Sequence, residues 1–368
     1  MRTNGSNRIL SGLLAALIAL SSLGLAGCKK QPQPELSVPN PTVQLAEGVA
    51  LPQFETEVLL CSAEAKKVFD HQMEVATAVA SGDPYRPFVF EYQLAQVGTL
   101  LVSESVDFSK AQVYNLDPNK TSVLIDNLKT GITYHYQVDV AGSSYSGTFQ
   151  TAASNRFISI PGVENLRDIG GYQTLDGKTI KQGLLIRGCE LDGIKNEDYY
   201  LAGEDVAAVQ KTFGFVYDLD LRSPEIVEGE VPSRLGADVG HKFYDAPTYA
   251  QIFRDEYLES MKAIFTDLAK PENYPMYLHC TWGRDRTGTI VLLLQGLLNV
   301  SEDDLMQEYR LTGYVHSAVA TNNKMDALFL GLEAYEGNTL QEKIISYLTT
   351  TVGVTPEEIT SIQSIFLD

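Results

Sequence analysis

The stretch His279-Cys280-Thr281-Trp282-Gly283-Arg284-Asp285-Arg286-Thr287-Gly288 brings a thiol, an imidazole, a carboxylate and two guanidiniums together. Sulfur is a nucleophile only as the thiolate, which a nearby positive field favours. A guanidinium six residues after the cysteine offers a planar fork of donors that matches two oxygens of a tetrahedral oxyanion. The carboxylate of Asp285, lying between them, can give and take a proton. Together these residue types suit transfer of an anionic group through sulfur.

Such chemistry needs the cysteine held below a source of positive field. Pro275-Met276-Tyr277-Leu278-His279 reads as a buried strand, and the apolar run that follows Arg286 reads as a buried helix. The six residues Cys280–Asp285 are then the turn between them. That turn faces a helix N-terminus, whose unpaired N–H groups and dipole favour an anion, and Gly283 lets the loop curl so that its N–H groups converge. Thr281, Trp282, Gly283, Arg284, Thr287 and Gly288 are the candidate substrate-binding residues. His279 reads as a brace for the loop. Asn165, Arg167 and Asp168 read as ties between an early loop and the core, with Arg167 also able to line the pocket. Arg187 and Arg222 follow strand-like runs and read either as extra positive field or as structural ion pairs.

The rest of the chain sets bounds on function. At 368 residues and 44% hydrophobic content it can bury a sizeable core, and its length suggests two domains. A net charge of −19 repels nucleic-acid backbones, so no nucleic-acid partner is expected and any anion site must be a local pocket. The N-terminus carries Arg2 and Arg8 before a short apolar run that ends Leu25-Ala26-Gly27-Cys28. It reads as an export signal over 1–27, and its end resembles the lipobox of bacterial lipoproteins, with Cys28 the lipidated residue. That resemblance implies a lipid anchor in the bacterial membrane, the outer one in a cell with two, or at the cell surface. Three further cysteines, Cys61, Cys189 and Cys280, leave an odd count and hence at least one free thiol.

Residues 28–50 are polar and proline-rich and read as a tether. Residues 51–152 show short alternating segments, among them 87–94, 98–106, 121–128, 133–141 and 145–152, as a small all-β sandwich does. The run from Leu128 to Tyr136 resembles the late strands of fibronectin type III domains, with Tyr134 six residues after Leu128 as in their tyrosine corner. This domain is expected to be a spacer or a docking module for an unknown surface partner. From 153 to 368 strands alternate with helical patterns, so the fold class is α/β.

The ten residues also resemble the loop H-C-x-x-G-K-D-R-T-G of bacterial cysteine-based protein tyrosine phosphatases. Asn165–Tyr172, Gly183–Leu191, Tyr217–Ile226, Val300–Thr312 and Ser346–Ile359 resemble further segments of that family, in the family's order. The resemblance implies a mostly parallel central sheet flanked by helices. It implies Cys280 as a nucleophile forming a phosphocysteine, Arg286 as the phosphoryl binder, Asp285 as general acid and Thr287 as a donor to the departing sulfur. Asp220 and Asp245 are fallback acids, because related phosphatases use an Asp on a separate loop. Arg284 replaces the family's lysine and Trp282 a small residue. Trp282 is expected to wall the pocket and stack on a ring, or else to pack on a neighbouring loop.

The expected activity is phosphomonoester hydrolysis on phosphotyrosine proteins, with dual specificity open. A phosphoinositide or inositol phosphate substrate is the alternative, and a non-catalytic surface binding lipoprotein the second. No cofactor and no metal are expected, since the His and Asp residues show no ligand spacing. Cys189 and Cys280, both in segments expected near the pocket, are a candidate reversible disulfide.

Overall fold

The computed structural model describes residues 87–151, 153, 155–223, 232–315 and 324–368. The expected leader over 1–27, Cys28, Cys61, the expected tether over 28–50 and the start of the β-rich segment lie outside the described residues.

The N-terminal part is built from two antiparallel sheets. Strands β1 (Phe88–Glu91) and β4 (Ser122–Ile125) pair in one, and β2 (Gly98–Ser103), β3 (Gln112–Leu116), β5 (Thr133–Val140) and β6 (Ser143–Gln150) form the other in the order β3-β2-β5-β6. Inward residues of both sheets, including Phe90, Leu100, Leu116, Ile125, Tyr136 and Val138, close one core. Period-two alternation puts these on the inner face, as in β2, whose first four residues alternate buried and half-buried. Strand β3 is one that the alternation in sequence does not reveal. It is an edge strand with Val113 exposed, so it carries little apolar signal. The Tyr134 hydroxyl accepts the Lys129 N–H at 2.8 Å, which pins the turn before β5.

Direct contacts join this part to residues 155–183. Arg156 pairs with Asp168 at 2.7 Å and donates to the Asn127 carbonyl at 2.7 Å. Gln182 donates to the Thr130 carbonyl at 2.7 Å and accepts the Thr130 N–H at 3.0 Å.

The C-terminal part is a five-stranded sheet in the order β10-β9-β11-β8-β7, with β7 (Arg167–Asp168), β8 (Leu185–Gly188), β9 (Tyr217–Asp220), β10 (Gly240–Phe243) and β11 (Met276–His279). Four strands are parallel and β7 is antiparallel to β8. Strand β11, in the middle, is buried along its length, as its apolar run requires of a strand covered on both faces. The described residues also hold seven α-helices, besides short 3-10 and π turns: α1 (Val206–Phe213), α2 (Leu258–Leu268), α3 (Asp285–Leu297), α4 (Glu302–Arg310), α5 (Lys324–Leu332), α6 (Leu340–Tyr347) and α7 (Pro356–Phe366). The core formed with α2 to α7 contains Leu219, Met276, Leu278 and most of α3, while Val209 of α1 packs with Ile186, Tyr277 and Leu201 in a second cluster. Helix α3 is buried from Thr287 to Leu297, which explains its apolar residues on every side. None of the described helices is long and apolar enough to cross a membrane.

Candidate active site

Parallel register sets Gly188, Asp220 and His279 side by side at the C-terminal ends of β8, β9 and β11. In open α/β sheets this is the edge where ligands bind. Cys280 is the first residue beyond it, 4% exposed, and α3 begins at Asp285.

The intervening loop is turned inside out by what holds its carbonyls. The Cys280 carbonyl faces His279 Nδ1 at 3.1 Å, and the Thr281 carbonyl accepts the Glu190 N–H at 3.1 Å. The Asn165 amide donates to the Trp282 and Gly283 carbonyls at 3.0 and 2.9 Å, and Arg187 also donates to the Gly283 carbonyl. Because each peptide is planar and trans, the N–H groups of residues 281–284 point the opposite way, into the loop. The N–H groups of the first turn of α3 add to them. Gly283 has φ +60°, and a Cβ there would sit 2.3 Å from the Gly188 carbonyl oxygen, so only glycine fits. Gly288 is held for packing rather than for ligand: a Cβ would meet the Tyr309 ring at 2.7 Å.

The arginines divide sharply. Arg156, Arg167, Arg187 and Arg222 are buried and each is paired: Arg156 with Asp168, Arg167 and Arg187 with Glu308 at 2.7 Å, and Arg222 with Glu190, Asp192 and Asp220 at 2.6–2.7 Å. Burial, then the charge of Arg167, pull the Arg187 guanidinium down to about 10 despite Glu308. Arg286 is half-buried and makes no ion pair or hydrogen bond among the described residues. Its donors are left for an anion. The Thr287 hydroxyl is likewise fully buried with no hydrogen-bond partner.

Asp285 sits at the loop's far side, held by Arg284 Nε and Nη2 at 3.0 Å and by the Tyr249 hydroxyl, which pairs in turn with the Tyr309 hydroxyl at 2.7 Å. The fallback acids are placed differently. Asp220 is fully buried, with both oxygens taken by Arg222, so its carboxylate is occupied in holding that arginine. Asp245 is exposed on the segment after β10. Trp282 is 40% exposed and meets Tyr199 edge-to-face at 5.5 Å between ring centroids.

His279 braces the loop, as its place beside Cys280 suggested. Burial alone would lower its pKa, but the Asp220 and Asp218 carboxylates outweigh burial and raise it to about 9. Arg167 does not line a pocket: it is 2% exposed and bound to Glu308 and Asn165. Cys189 is on the other core cluster, with its sulfur accepting the Glu164 N–H at 3.1 Å. Burial first, then the Glu164 and Glu190 carboxylates, push its thiol far above the ordinary range. Glu308, Tyr249, Tyr309 and Glu190 are functional neighbours that the sequence pattern does not single out. The signal for Glu308 is weak, one acid among several in α4. The structure also brings Asp218, His241 and His279 together, so that one ligand atom from each lies within 4.8 Å of the others, where the sequence showed no metal-ligand spacing.

A buried cysteine beside converging amides, with an arginine at the following helix that has no partner among the described residues, forms a candidate cysteine-centred site on an α/β domain. The family model of the tyrosine phosphatase family matches residues 158–368, and the chain belongs to that family. It is also 24% identical over 172 residues to a protein of Cupriavidus necator whose name marks it provisionally as a tyrosine-protein phosphatase, covering 40% of this chain and 59% of that relative. The chain thus spans less than two thirds of that relative's length.

Proposed function

We propose that the chain hydrolyses phosphate monoesters through a phosphocysteine at Cys280, with phosphotyrosine in proteins as the substrate. The observation that carries this reading is Arg286, a half-buried guanidinium with no partner among the described residues, beside amides that converge near a buried thiol. The Cys280 thiolate attacks phosphorus, the S–P bond forms and the ester P–O bond breaks. Asp285 delivers its proton to the departing oxygen. Water then attacks the phosphocysteine, Asp285 takes the water's proton, the S–P bond breaks and phosphate leaves. Arg286 and the loop amides hold the oxygens on which charge is spread throughout. Thr287, with its hydroxyl unpartnered, can donate to the sulfur as it departs.

Two features support an aromatic ester over an inositol phosphate. Trp282 is partly exposed at the loop and packed edge-to-face with Tyr199, so it can meet an aromatic ester. Arg284, the residue that would meet a second phosphate, is committed to Asp285. The leader and Cys28 support an exported, lipid-anchored enzyme, and the two-sheet part, with its pinned Tyr134, supports a fibronectin type III-like module that displays it.

The test is phosphate release by the purified chain from phosphotyrosine peptides, phosphoserine peptides and phosphoinositides in parallel. Release from phosphotyrosine that vanishes in Cys280→Ser is expected. Faster release from phosphoinositides would replace the substrate, and no release from any of them by a folded, reduced sample would favour a binding lipoprotein.

A further inference from the structure

Behind the Cys280 loop lies a group of side chains that phosphoryl transfer does not use. In the parallel register His241 stands opposite Asp218, and His279 opposite Asp220. Residues two apart on a strand share a face, so all four belong to one face of β10, β9 and β11. His279 Nε2 is 3.1 Å from Asp218 Oδ1 and 3.6 Å from Asp220 Oδ2. His241 Nε2 is 3.6 Å from Asp218 Oδ2 and 4.0 Å from Asp220 Oδ2. Two donors bound tetrahedrally to zinc at roughly 2.0–2.1 Å stand about 3.3 Å apart, close to these separations.

Three further observations point to a cation. Asp218 is 1% exposed and its Oδ1 accepts no hydrogen bond, although an imidazole nitrogen is 3.1 Å away. The two atoms are near but not aligned as donor and acceptor, as two atoms facing the same third partner would be. Next, His279 Nδ1 faces the Cys280 carbonyl, which can only accept. That keeps a proton on Nδ1 and turns Nε2 toward Asp218, where a metal ion would take the place of the Nε2 proton, while Ser233 donates to Asp218 Oδ2 at 2.6 Å. Metal-binding histidines and carboxylates are held by outer partners of this kind. Finally, Glu190, Asp192 and Asp220 surround the single guanidinium of Arg222, and two of the three are fully buried. With Asp218 beside them, these carboxylates outnumber the one guanidinium, and the two imidazoles add positive charge only while protonated.

We propose that Asp218, His241 and His279 bind a divalent transition-metal ion of the zinc type, with the fourth position left to water because Arg222 holds Asp220. The site is structural. It clamps three parallel strands at the end from which the nucleophile loop springs, and through His279 it holds the Cys280 carbonyl. This inference stands apart from the substrate reading, since it needs neither turnover nor an intact nucleophile.

The experiment uses the full chain carrying Cys280→Ser, which removes the competing thiolate, stripped with a chelator and titrated with Zn2+ by calorimetry and with Co2+ by visible absorption. One equivalent of zinc and the intense absorption of four-coordinate cobalt with nitrogen and oxygen donors are expected. His241→Ala, at the least buried ligand, should weaken zinc by more than about tenfold, since even outer partners contribute about 10–100-fold. Should that variant fail to fold, Ser233→Ala, which leaves all three ligands, should still weaken zinc by about tenfold. Absence of stoichiometric zinc, or unchanged affinity in the folded variant tested, would overturn the site and show that protons alone fill it.

Discussion

The carboxamide of Asn165 crosses 118 positions of sequence to donate to the Gly283 carbonyl at 2.9 Å, and with its second proton it holds the Trp282 carbonyl. Asn165 itself adopts φ +58°, a region that asparagine tolerates better than most residues. Asn165→Ala removes both donors and leaves two loop carbonyls without them, at a cost of about 1–3 kcal/mol. The expected outcome is a KM for an aryl phosphate raised about tenfold, with weaker inhibition by inorganic phosphate. An unchanged KM would mean that the loop holds its shape without this brace.

Tyr249 and Asp285 provide a second test. The Tyr249 hydroxyl shares with Arg284 the hold on the carboxylate proposed as acid, so Tyr249→Phe removes one of its two restraints. General acid–base catalysis contributes about 10²–10⁴-fold, and loss of positioning should forfeit about tenfold of it in kcat. The loss should be greater for an alkyl phosphate, whose leaving oxygen needs the proton, than for a nitrophenyl phosphate. Equal losses on both substrates would remove Asp285 from the acid's role.

The two described cysteines should differ in reactivity. Cys280 lies in the anion loop, whereas the Cys189 thiol is buried in the second core cluster and held protonated. Iodoacetamide should modify Cys280 and spare Cys189 in the folded protein. Peroxide should likewise yield no Cys189–Cys280 disulfide, and a linked peptide found by mass mapping would show that the loop reaches a conformation unlike this one.

Asp267 sets an acid limit on stability. Burial alone would raise its pKa, but Lys270 at 2.7 Å and the Tyr217 and Tyr244 hydroxyls at 2.6 and 2.7 Å lower it below the ordinary 3.8. A group with a depressed folded pKa stabilises the fold fully above its unfolded value and loses that contribution as pH falls through the folded one. Asp267→Asn should cost about 1–3 kcal/mol near neutral pH, and the gap to the parent should narrow below about pH 4. Denaturant titrations across this range would show it, and a gap independent of pH would assign the cost to packing alone.

Local strings were legible because local chemistry fills them. The strand Met276–His279, the turn after it and the buried helix α3 come from one apolar run, one glycine and another apolar run. The predicted segments at 87–94, 98–106, 121–128, 133–141 and 145–152 each contain or overlap a strand, since alternation along a strand reports its own buried face. Edge strand β3 lacks that alternating contrast, so its sequence does not announce it.

The sequence by itself determined that a cysteine and an arginine would share one turn below a helix N-terminus, because adjacency in the chain forces it. Its net charge of −19 also led to the expectation that any anion site is a local pocket. Only the tertiary structure decided which charges are spent. Arg167 and Arg187 meet Glu308 and Arg222 meets Glu190, all from distant segments, whereas Arg286 meets none among the described residues, and spacing along the chain says nothing of this. The same holds for Asp218, His241 and His279, which lie far apart in sequence. Parallel pairing is long-range and its register depends on the whole sheet, so their approach to within 4.8 Å exists only once the strands are side by side.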